Sequence, residues 1–217
     1  YVAPRIHEVN PAATLIVMLR NPVERAYSHW WHYFSRGRES LPFGDAVKST
    51  AERVEAGVTP HCESVYVDGR QTDRGGWNRG TYLDSGYYFD QLSRYRELFP
   101  DSQLKVILLE DLKSQPFQVM RQVHEFLGCR PINRFTFRLR TQNQQARLLP
   151  EWIARLDNRL TQQTRLPHLV YATIRRGCQI QRRPRMDGET RRFLVAHYAD
   201  RNRQLEEWLS RDLSHWM

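Results

Sequence analysis

A short apolar run passes directly into a polar, aromatic segment in the stretch TLIVMLRNPVERAYSHWWH, residues 14–32. Residues 14–19 are mainly apolar without alternation, which is typical of a strand buried on both faces. Asn21 can cap a helix, Pro22 suits its first turn, and Glu24 completes a variant of the capping box. The stretch therefore predicts a buried strand followed at once by a helix.

Two stripes of side chains run along this predicted helix. Arg25, Ser28, His29 and His32 recur at i, i+3, i+4 and i+7 and form a polar stripe. Ser28 and His32 are one turn apart, so both can face a single ligand. The alternative is a surface helix whose polar face meets only water. The second stripe has the spacing of a core-facing surface and consists of Val23, Ala26, Tyr27, Trp30, Trp31 and Phe34.

Arg20 stands at the carboxyl end of the predicted strand, where the ligands of open α/β sheets bind. The N-terminus of the following helix is expected to add free N–H groups and a dipole that favours an anion. Arg20 would supply a charged fork, Ser28 a hydroxyl donor, and His32 a group that titrates near neutral pH. The junction therefore predicts an anion site, for which we expect a nucleotide phosphate.

The rest of the sequence predicts an α/β fold with a parallel sheet and a helical C-terminal part, in one domain over residues 1–217. A second buried strand is expected at 104–109, and Glu110 with Asp111 is interpreted as an exposed turn with a helix cap, although catalytic groups can occupy such a strand end. Residues 57–79 predict a long irregular segment, and 130–150 are weakly patterned. Helices are expected at 43–57, 82–99, 117–127, 151–161 and 168–176, and from Asp187 onward.

The net charge of +9 and the sequence pI of about 9.8 favour acidic partners such as a phosphorylated or sulfated small molecule, an anionic lipid or nucleic acid. The alternative is a well-solvated basic surface. The longest apolar stretch, 12–19, is too short to span a bilayer.

Three widely spaced cysteines, Cys62, Cys129 and Cys178, favour neither a disulfide framework nor a zinc site. The histidines show no metal-ligand spacing, so no metal is expected. A reducing, cytoplasmic location follows as a prediction.

Three stretches of the chain resemble sulfotransferases that use 3′-phosphoadenosine-5′-phosphosulfate (PAPS), above all the heparan-sulfate-sulfotransferase-like and bacterial members. The first, LIVMLRNPVERAYSHW, is similar to their 3′-phosphate-binding segment. The second, RGTYLDSGYYFDQLSRYRELFP followed by KVILLEDL, is similar to their central helix and strand. The third runs from RPRMDGETRRFL to the C-terminus. The resemblance implies a three-layer, P-loop-NTPase-like α/β fold and a PAPS-dependent transferase that needs no metal.

The resemblance also implies roles for individual residues. Arg20 and Ser28 match the arginine and serine that hold the 3′-phosphate of the nucleotide. His32 matches a histidine that lies near the acceptor and the transferring sulfuryl group, and it is the candidate catalytic residue. The relatives place a basic loop over the nucleotide, and the matching candidates here are Arg182, Arg183 and Arg185.

The acceptor cannot be identified from the sequence beyond a hydroxyl or amine of a small molecule, lipid or carbohydrate. His29, Tyr82 and Tyr87 are candidates for contacting it. The alternative for the tyrosines is a place in the core, where aromatic residues at helical spacing usually lie. The sequence leaves the oligomeric state open.

One expected segment has no counterpart in the sequence. The family begins with a strand and a Lys-Gly-Thr-Thr-like loop that cradles the 5′-phosphosulfate, and the resemblance implies that the sequence is truncated upstream of residue 1. Two other readings stay open: an inactive sulfotransferase-like fragment, and a basic nucleic-acid-binding module that nevertheless lacks any recognised signature. A P-loop kinase is a weaker alternative, because the sequence has no Walker motif.

Overall fold

The computed structural model describes residues 2–35, 39–57, 66–67, 70–71, 81–130, 145–147 and 180–217. The helices predicted at 151–161 and 168–176 lie outside the described residues, as does most of the irregular segment at 57–79. The chain divides into two compact units. Unit 1 consists of Tyr1–Glu24, Tyr87–Arg140 and Val195–Met217, and unit 2 of Arg25–Gly86 and Thr141–Leu194. The single domain over 1–217 stays a prediction, and each unit is described by itself.

The described elements are seven helices and six strands, besides three short 3₁₀ turns. The helices are α1 (Ala3–Val9), α2 (Pro22–Phe34), α3 (Phe43–Glu55), α4 (Tyr88–Arg96), α5 (Leu109–Ser114), α6 (Pro116–Phe126) and α7 (Gly188–Leu209). The strands are β1 (Leu15–Leu19), β2 (Tyr66–Val67), β3 (Arg70–Gln71), β4 (Leu104–Leu108), β5 (Gln145–Arg147) and β6 (Ile180–Arg182). None of the helices in the described ranges is long and apolar enough to cross a membrane.

Unit 1 is built on a parallel pair of strands. β1 and β4 pair in register from Leu15 with Leu104 to Leu19 with Leu108. Parallel strands need a long crossover, and the two strands are separated by most of the first hundred residues. The predicted parallel sheet is therefore confirmed, and the carboxyl ends of its two strands lie side by side.

One face of β1 is not buried as the sequence predicts. Leu19 is buried, but Ile16 is 42% and Met18 is 52% exposed. Alternate side chains of a strand point to opposite faces, and the face that carries Val17 and Leu19 packs on the core of unit 1. The expectation of burial on both faces is wrong for β1, because an apolar run does not show which layers cover it.

The core of unit 1 joins both strands to helices. Leu19 and Leu108 pack with Leu92 of α4 and Leu205 of α7. Trp216 completes this cluster from the C-terminal 3₁₀ turn. Burial of such side chains stabilises the fold by about 1.5–3 kcal/mol each.

Unit 2 is centred on the aromatic stripe of α2. The Tyr27 ring lies 4.8 Å from that of Phe43 in α3, and the Trp30 ring lies 4.7 Å from that of Phe34. The indole N–H of Trp30 donates to the carbonyl of Leu41 at 2.9 Å. The predicted core-facing stripe is thus confirmed, because Val23, Ala26, Tyr27, Trp30 and Trp31 are buried and Phe34 is half-buried. It fixes which side of α2 is left for polar residues.

The C-terminal helix begins where the sequence predicts. The Asp187 carboxylate accepts the backbone N–H of Thr190 at 2.7 Å and caps α7. This hydrogen bond and others to the neighbouring backbone hold the pKa of Asp187 below its usual value. α4 begins at Tyr88 rather than near 82, because a 3₁₀ turn occupies Asp84–Gly86.

Candidate functional site

The strand-to-helix junction of unit 1 is closed by a short network of hydrogen bonds. The Asn21 side-chain oxygen accepts the backbone N–H groups of Val23 at 3.0 Å and Glu24 at 3.3 Å. The predicted cap of α2 is therefore confirmed. The N–H of Asn21, which a capping box assigns to Glu24, is donated to the carboxylate of Glu110 at 3.1 Å.

This network corrects the expectation that the start of α2 offers free N–H groups to an anion. The N–H groups of Asn21, Val23 and Glu24 are all donated within the chain, and Pro22 has none. The helix dipole remains. An anion at this junction must therefore be bound chiefly by a side chain.

Arg20 is the side chain in position to do so. It follows the last residue of β1, and its side chain is 27% exposed. The guanidinium lies 3.6 Å from the Glu24 carboxylate, one helical turn further along the chain. This ion pair directs the Arg20 side chain towards the start of α2, at the carboxyl edge of the sheet.

The polar stripe of α2 lies in unit 2. Ser28 and His29 are half-buried, whereas His32 is exposed. The His32 ring packs edge-on against Tyr33 with centroids 5.5 Å apart. The helix therefore presents Ser28 and His32 one turn apart, as the spacing predicts.

His29 is held in a network that the sequence does not reveal. Arg25 donates to the backbone carbonyl of Tyr82, and its other terminal nitrogen lies 3.5 Å from Nδ1 of His29. The Tyr82 hydroxyl donates to the buried Glu39 carboxylate at 2.8 Å. Tyr82 is only 1% exposed. Its burial favours the core alternative over contact with an acceptor, which stays a prediction.

The electrostatics of this network separate His29 from an ordinary histidine. Burial, helped by the positive charge of Arg25 and by His32, lowers the pKa of His29 from 6.5 to about 4. The ring is therefore neutral at pH 7. With Nδ1 turned to a guanidinium donor, the proton of the neutral ring belongs on Nε2. A ring in this state offers an N–H donor at Nε2 and is a weak base.

Tyr87 packs against α7 within unit 1. Its hydroxyl lies 2.8 Å from Nε2 of His197, and the guanidinium of Arg201 stacks 4.0 Å from its ring centroid. Arg201 also donates to Asp90 at 3.0 Å. These contacts fix the ring, and its contact with an acceptor stays a prediction.

The basic segment before α7 meets α2 within unit 2. The Arg183 guanidinium lies 4.2 Å from the ring centroid of Tyr27, whose hydroxyl donates to the carbonyl of Pro184. Arg183 therefore packs beside the residue that precedes Ser28. Arg185 is exposed, and Arg182 ends β6 with its side chain outside the described residues.

The structure thus brings Ser28, His32 and the Arg183 segment into unit 2, and it places Arg20 and Tyr87 in unit 1. The assignment of Arg20 and Ser28 to one phosphate stays a prediction. Among the described residues, no group of His, Cys, Asp and Glu could hold a metal ion.

Comparison with known proteins decides the family. Residues 5–207 match the family model of the Sulfotransferase domain. The chain belongs to the sulfotransferase family. The matched residues include parts of both units. The family match and the parallel pairing of β1 with β4 together confirm the predicted α/β fold class.

Relatives of this sulfotransferase domain include much longer proteins. The human bifunctional heparan sulfate N-deacetylase/N-sulfotransferase 2 is 26% identical over 206 residues, which are 93% of this chain and 19% of that protein. Human carbohydrate sulfotransferase 15 is 28% identical over 128 residues, which are 59% of this chain and 22% of that protein. The chain therefore spans about a fifth of the length of these curated relatives.

A solved structure shares the fold. The crystal structure of a sulfotransferase from Alicyclobacillus acidocaldarius superposes with a TM-score of 0.62 at 25% sequence identity. The superposition covers 99% of this chain and 61% of that chain. The P-loop-like fold class implied by the sequence resemblance is thus confirmed.

Three residues of the sulfotransferase domain shape the site through contacts that the sequence does not reveal, and one of them, Glu39, is not a candidate from the sequence at all. Arg25 and Glu39 fix the surroundings of His29, and Glu110 fixes Asn21. The interpretation of Glu110 as part of an exposed turn is wrong, because its carboxylate turns inward to the end of β1. The only sequence signal was its place two residues beyond a buried strand.

Proposed function

We propose that the chain is a transferase that moves a sulfuryl group from PAPS to a hydroxyl or amine of a small-molecule, lipid or carbohydrate acceptor. Family membership supports the transferase class. The names of the relatives, a heparan sulfate N-sulfotransferase and a carbohydrate sulfotransferase, favour a carbohydrate acceptor. The observation that carries the proposal is Arg20, a partly exposed guanidinium at the carboxyl end of a parallel strand.

The residues present fit a nucleotide that carries two anionic groups. Arg20 supplies a charged fork for the 3′-phosphate, and Ser28 is proposed to add a hydroxyl donor. Arg183 and Arg185, together with Arg182, add positive charge from the segment before α7. The guanidinium of Arg183 stacked on Tyr27 is fixed in advance, which lowers the entropy lost on binding.

PAPS, when bound, supplies the sulfuryl group on a good leaving group. The task of the protein is then to fix the reactants in line and to neutralise developing charge, as in phosphoryl transfer. Arg20 and Ser28 would hold the nucleotide at a distance from the reacting atoms, so their binding energy serves orientation.

His32 is the proposed catalytic residue. A general base works best with a pKa near the working pH. His29, with its pKa lowered to about 4, is a weak base, and its Nδ1 faces Arg25. The proposed roles therefore divide along α2: His32 accepts the proton of the acceptor, and His29 donates a hydrogen bond to the acceptor. Tyr87 stays a proposed acceptor contact, Tyr82 a weaker one.

The proposal includes a cytoplasmic location, for which the sparse cysteines are the support. It includes neither a metal nor a nucleic-acid partner.

The test is the affinity for adenosine 3′,5′-bisphosphate, measured by titration calorimetry. Arg20→Ala is expected to weaken binding roughly 10- to 100-fold, the loss of a hydrogen-bonded charge pair. Arg121→Ala is the control, because Arg121 pairs with Glu125 on the exposed face of α6. Adenosine 5′-phosphate, which lacks the 3′-phosphate, is expected to bind both variants equally. Unchanged affinity of Arg20→Ala for the bisphosphate, or no binding to the unmodified chain, would contradict the proposal.

A further inference from the structure

Glu110 joins the two strand ends of unit 1 in a way that the proposed function does not use. It is the second residue beyond β4, and its Oε1 accepts the backbone N–H of Asn21, the second residue beyond β1. Neither the backbone of the sheet nor that of α2 provides this acceptor. A side chain from one strand end therefore determines the path of the backbone that leaves the other.

The hydrogen bond continues the register of the sheet. Paired residues of β1 and β4 differ by 89 positions, and so do Asn21 and Glu110. The hydrogen bond between the Glu110 carboxylate and the Asn21 N–H therefore lies two positions beyond the last backbone pair, Leu19 with Leu108, in the same register. Since the buried face fixes the register of the two strands, it also fixes the positions of Asn21 and Glu110 relative to each other.

The hydrogen bond from Asn21 to Glu110 also restrains the backbone next to Arg20. Asn21 is fixed on both sides, by Glu110 at its N–H and by the N–H groups of Val23 and Glu24 at its side chain. Arg20 lies between this fixed residue and the last residue of β1. Its guanidinium is then oriented by Glu24. The backbone on both sides of Arg20 is therefore fixed before any ligand binds.

We propose that Glu110 is a positioning residue for nucleotide binding: its carboxylate fixes the Asn21 amide and so pre-orients Arg20 for the 3′-phosphate. The inference rests on the proposed function, in which Arg20 binds that phosphate. Pre-orientation strengthens binding because less freedom is lost when the ligand arrives.

The charge of Glu110 works in the opposite direction. A carboxylate near a phosphate site repels the ligand. Its second oxygen, Oε2, is buried without a hydrogen-bond partner among the described residues, which is unfavourable for the fold. The benefit of Glu110 for nucleotide binding is therefore geometric. Loss of its geometric role should weaken binding, whereas loss of its negative charge should strengthen it.

Two substitutions separate these effects. Glu110→Ala removes both the charge and the acceptor, whereas Glu110→Gln removes the charge and keeps an acceptor for Asn21. By titration calorimetry, Glu110→Ala is expected to bind adenosine 3′,5′-bisphosphate about tenfold more weakly, and Glu110→Gln to stay within about threefold of the unmodified chain. Adenosine 5′-phosphate affinity is expected to stay unchanged in both.

Asp111→Ala is the matched control. Asp111 is the neighbouring carboxylate, and its partner is Arg211 rather than Asn21. It is expected to leave the bisphosphate affinity unchanged. Amide hydrogen exchange by NMR adds a readout without ligand: the Asn21 amide is expected to exchange at least about tenfold faster in Glu110→Ala, but not in Asp111→Ala.

The outcomes distinguish this inference from the proposed function. If Arg20→Ala weakens bisphosphate binding and Glu110→Ala does not, the positioning role is wrong and the proposed function stands. Tighter binding by both Glu110 variants would show that only charge acts. Equal loss of bisphosphate and 5′-phosphate binding in Glu110→Ala would show a general structural defect and also overturn the inference. Unchanged binding by Arg20→Ala overturns the proposed function itself.

Discussion

His29 and His32 show how neighbouring residues of one type acquire different chemistry. Both lie on the polar stripe of α2, but His29 is half-buried beside Arg25, whereas His32 is exposed. Burial disfavours a charged ring, and a nearby guanidinium adds to this effect. The sequence spacing places both residues on one stripe. It cannot distinguish them, because Arg25 and Tyr82 act through contacts that depend on the folded chain.

His29 is expected to make stability depend on pH. Its pKa is about 4 in the folded chain and 6.5 ordinarily, so the unfolded chain binds the proton more readily between these values. The stability from the neutral ring is present above pH 6.5 and is lost as the pH falls towards 4. The limit is about 1.4 kcal/mol per pH unit. Urea unfolding at pH 4.5 and 7 measures it.

His29→Gln is expected to flatten this pH dependence. The control is His215→Gln, which replaces an exposed histidine of unit 1. An equal slope in His29→Gln and the unmodified chain would show that other groups cause the change.

His32→Ala is expected to lower turnover while nucleotide binding is retained. Removal of a general base typically costs about 10²–10⁴-fold in rate. The comparison is kcat for sulfuryl transfer against calorimetric affinity for the bisphosphate. Equal loss of both would instead assign His32 to the nucleotide site or to the fold.

Asn21 makes one set of hydrogen bonds that the sequence predicts and one, with Glu110, that it does not. The cap by Asn21 is predicted because its partners lie two and three positions away. The bond to Glu110 spans 89 positions and exists only once two strands are paired. The expectation of free N–H groups is wrong chiefly because the Asn21 cap itself takes those of Val23 and Glu24, and only the N–H of Asn21 goes to the distant Glu110.

At the scale of elements, α3 and α7 meet through glycine. A Cβ added to Gly44, near the start of α3, would lie 3.0 Å from the hydroxyl oxygen of Thr190 in α7. Thr190 is buried and bonded to the Asp187 cap. The close approach therefore fixes the end of the basic segment that carries Arg183.

Gly44→Ala is expected to destabilise the chain by about 1 kcal/mol, because crowding exceeds the gain in helix propensity. Gly188→Ala is the matched control in the first turn of α7, where the added Cβ meets only Arg192 at an ordinary 3.6 Å. Gly188→Ala is expected to be neutral or stabilising. Equal unfolding midpoints in urea for the two variants would contradict the close approach.

Element boundaries follow the sequence where local signals are strong. The helix expected at 43–57 is observed at Phe43–Glu55, and that at 117–127 at Pro116–Phe126. The burial of β1, in contrast, is not predicted correctly from the sequence. β1 is an unbroken apolar run, yet Ile16 and Met18 are exposed. The layers that cover a strand come from distant parts of a chain, so composition alone does not assign them.

At the scale of the whole molecule, the net charge of +9 is compatible with either a nucleotide enzyme or a nucleic-acid-binding module. Family membership supports the transferase class. Two of the arginines proposed to bind the nucleotide each contact a side chain of the fold: Arg20 pairs with Glu24, and Arg183 stacks on Tyr27. The positive charge of these two arginines is therefore held in place by specific contacts and is not only part of the net charge.

Duplex DNA is expected to bind weakly and to be released as salt rises. A binding mode made of phosphate contacts loses about 10³–10⁵-fold in affinity between 50 and 200 mM salt. Adenosine 3′,5′-bisphosphate, with fewer contacts, is expected to lose much less. Fluorescence anisotropy with labelled DNA and calorimetry with the nucleotide measure the two slopes. Tight duplex binding at 200 mM salt, with no nucleotide binding, would favour the nucleic-acid-binding module.

The exposed thioether of Met18 has a practical consequence. It lies on the open face of β1, two residues before Arg20, and dilute peroxide converts such an accessible sulfur to a sulfoxide. The extra mass on its peptide makes Met18 a built-in footprinting probe. Any molecule or chain segment that comes to rest on that side of the strand will slow the oxidation, and mass spectrometry will register the shielding.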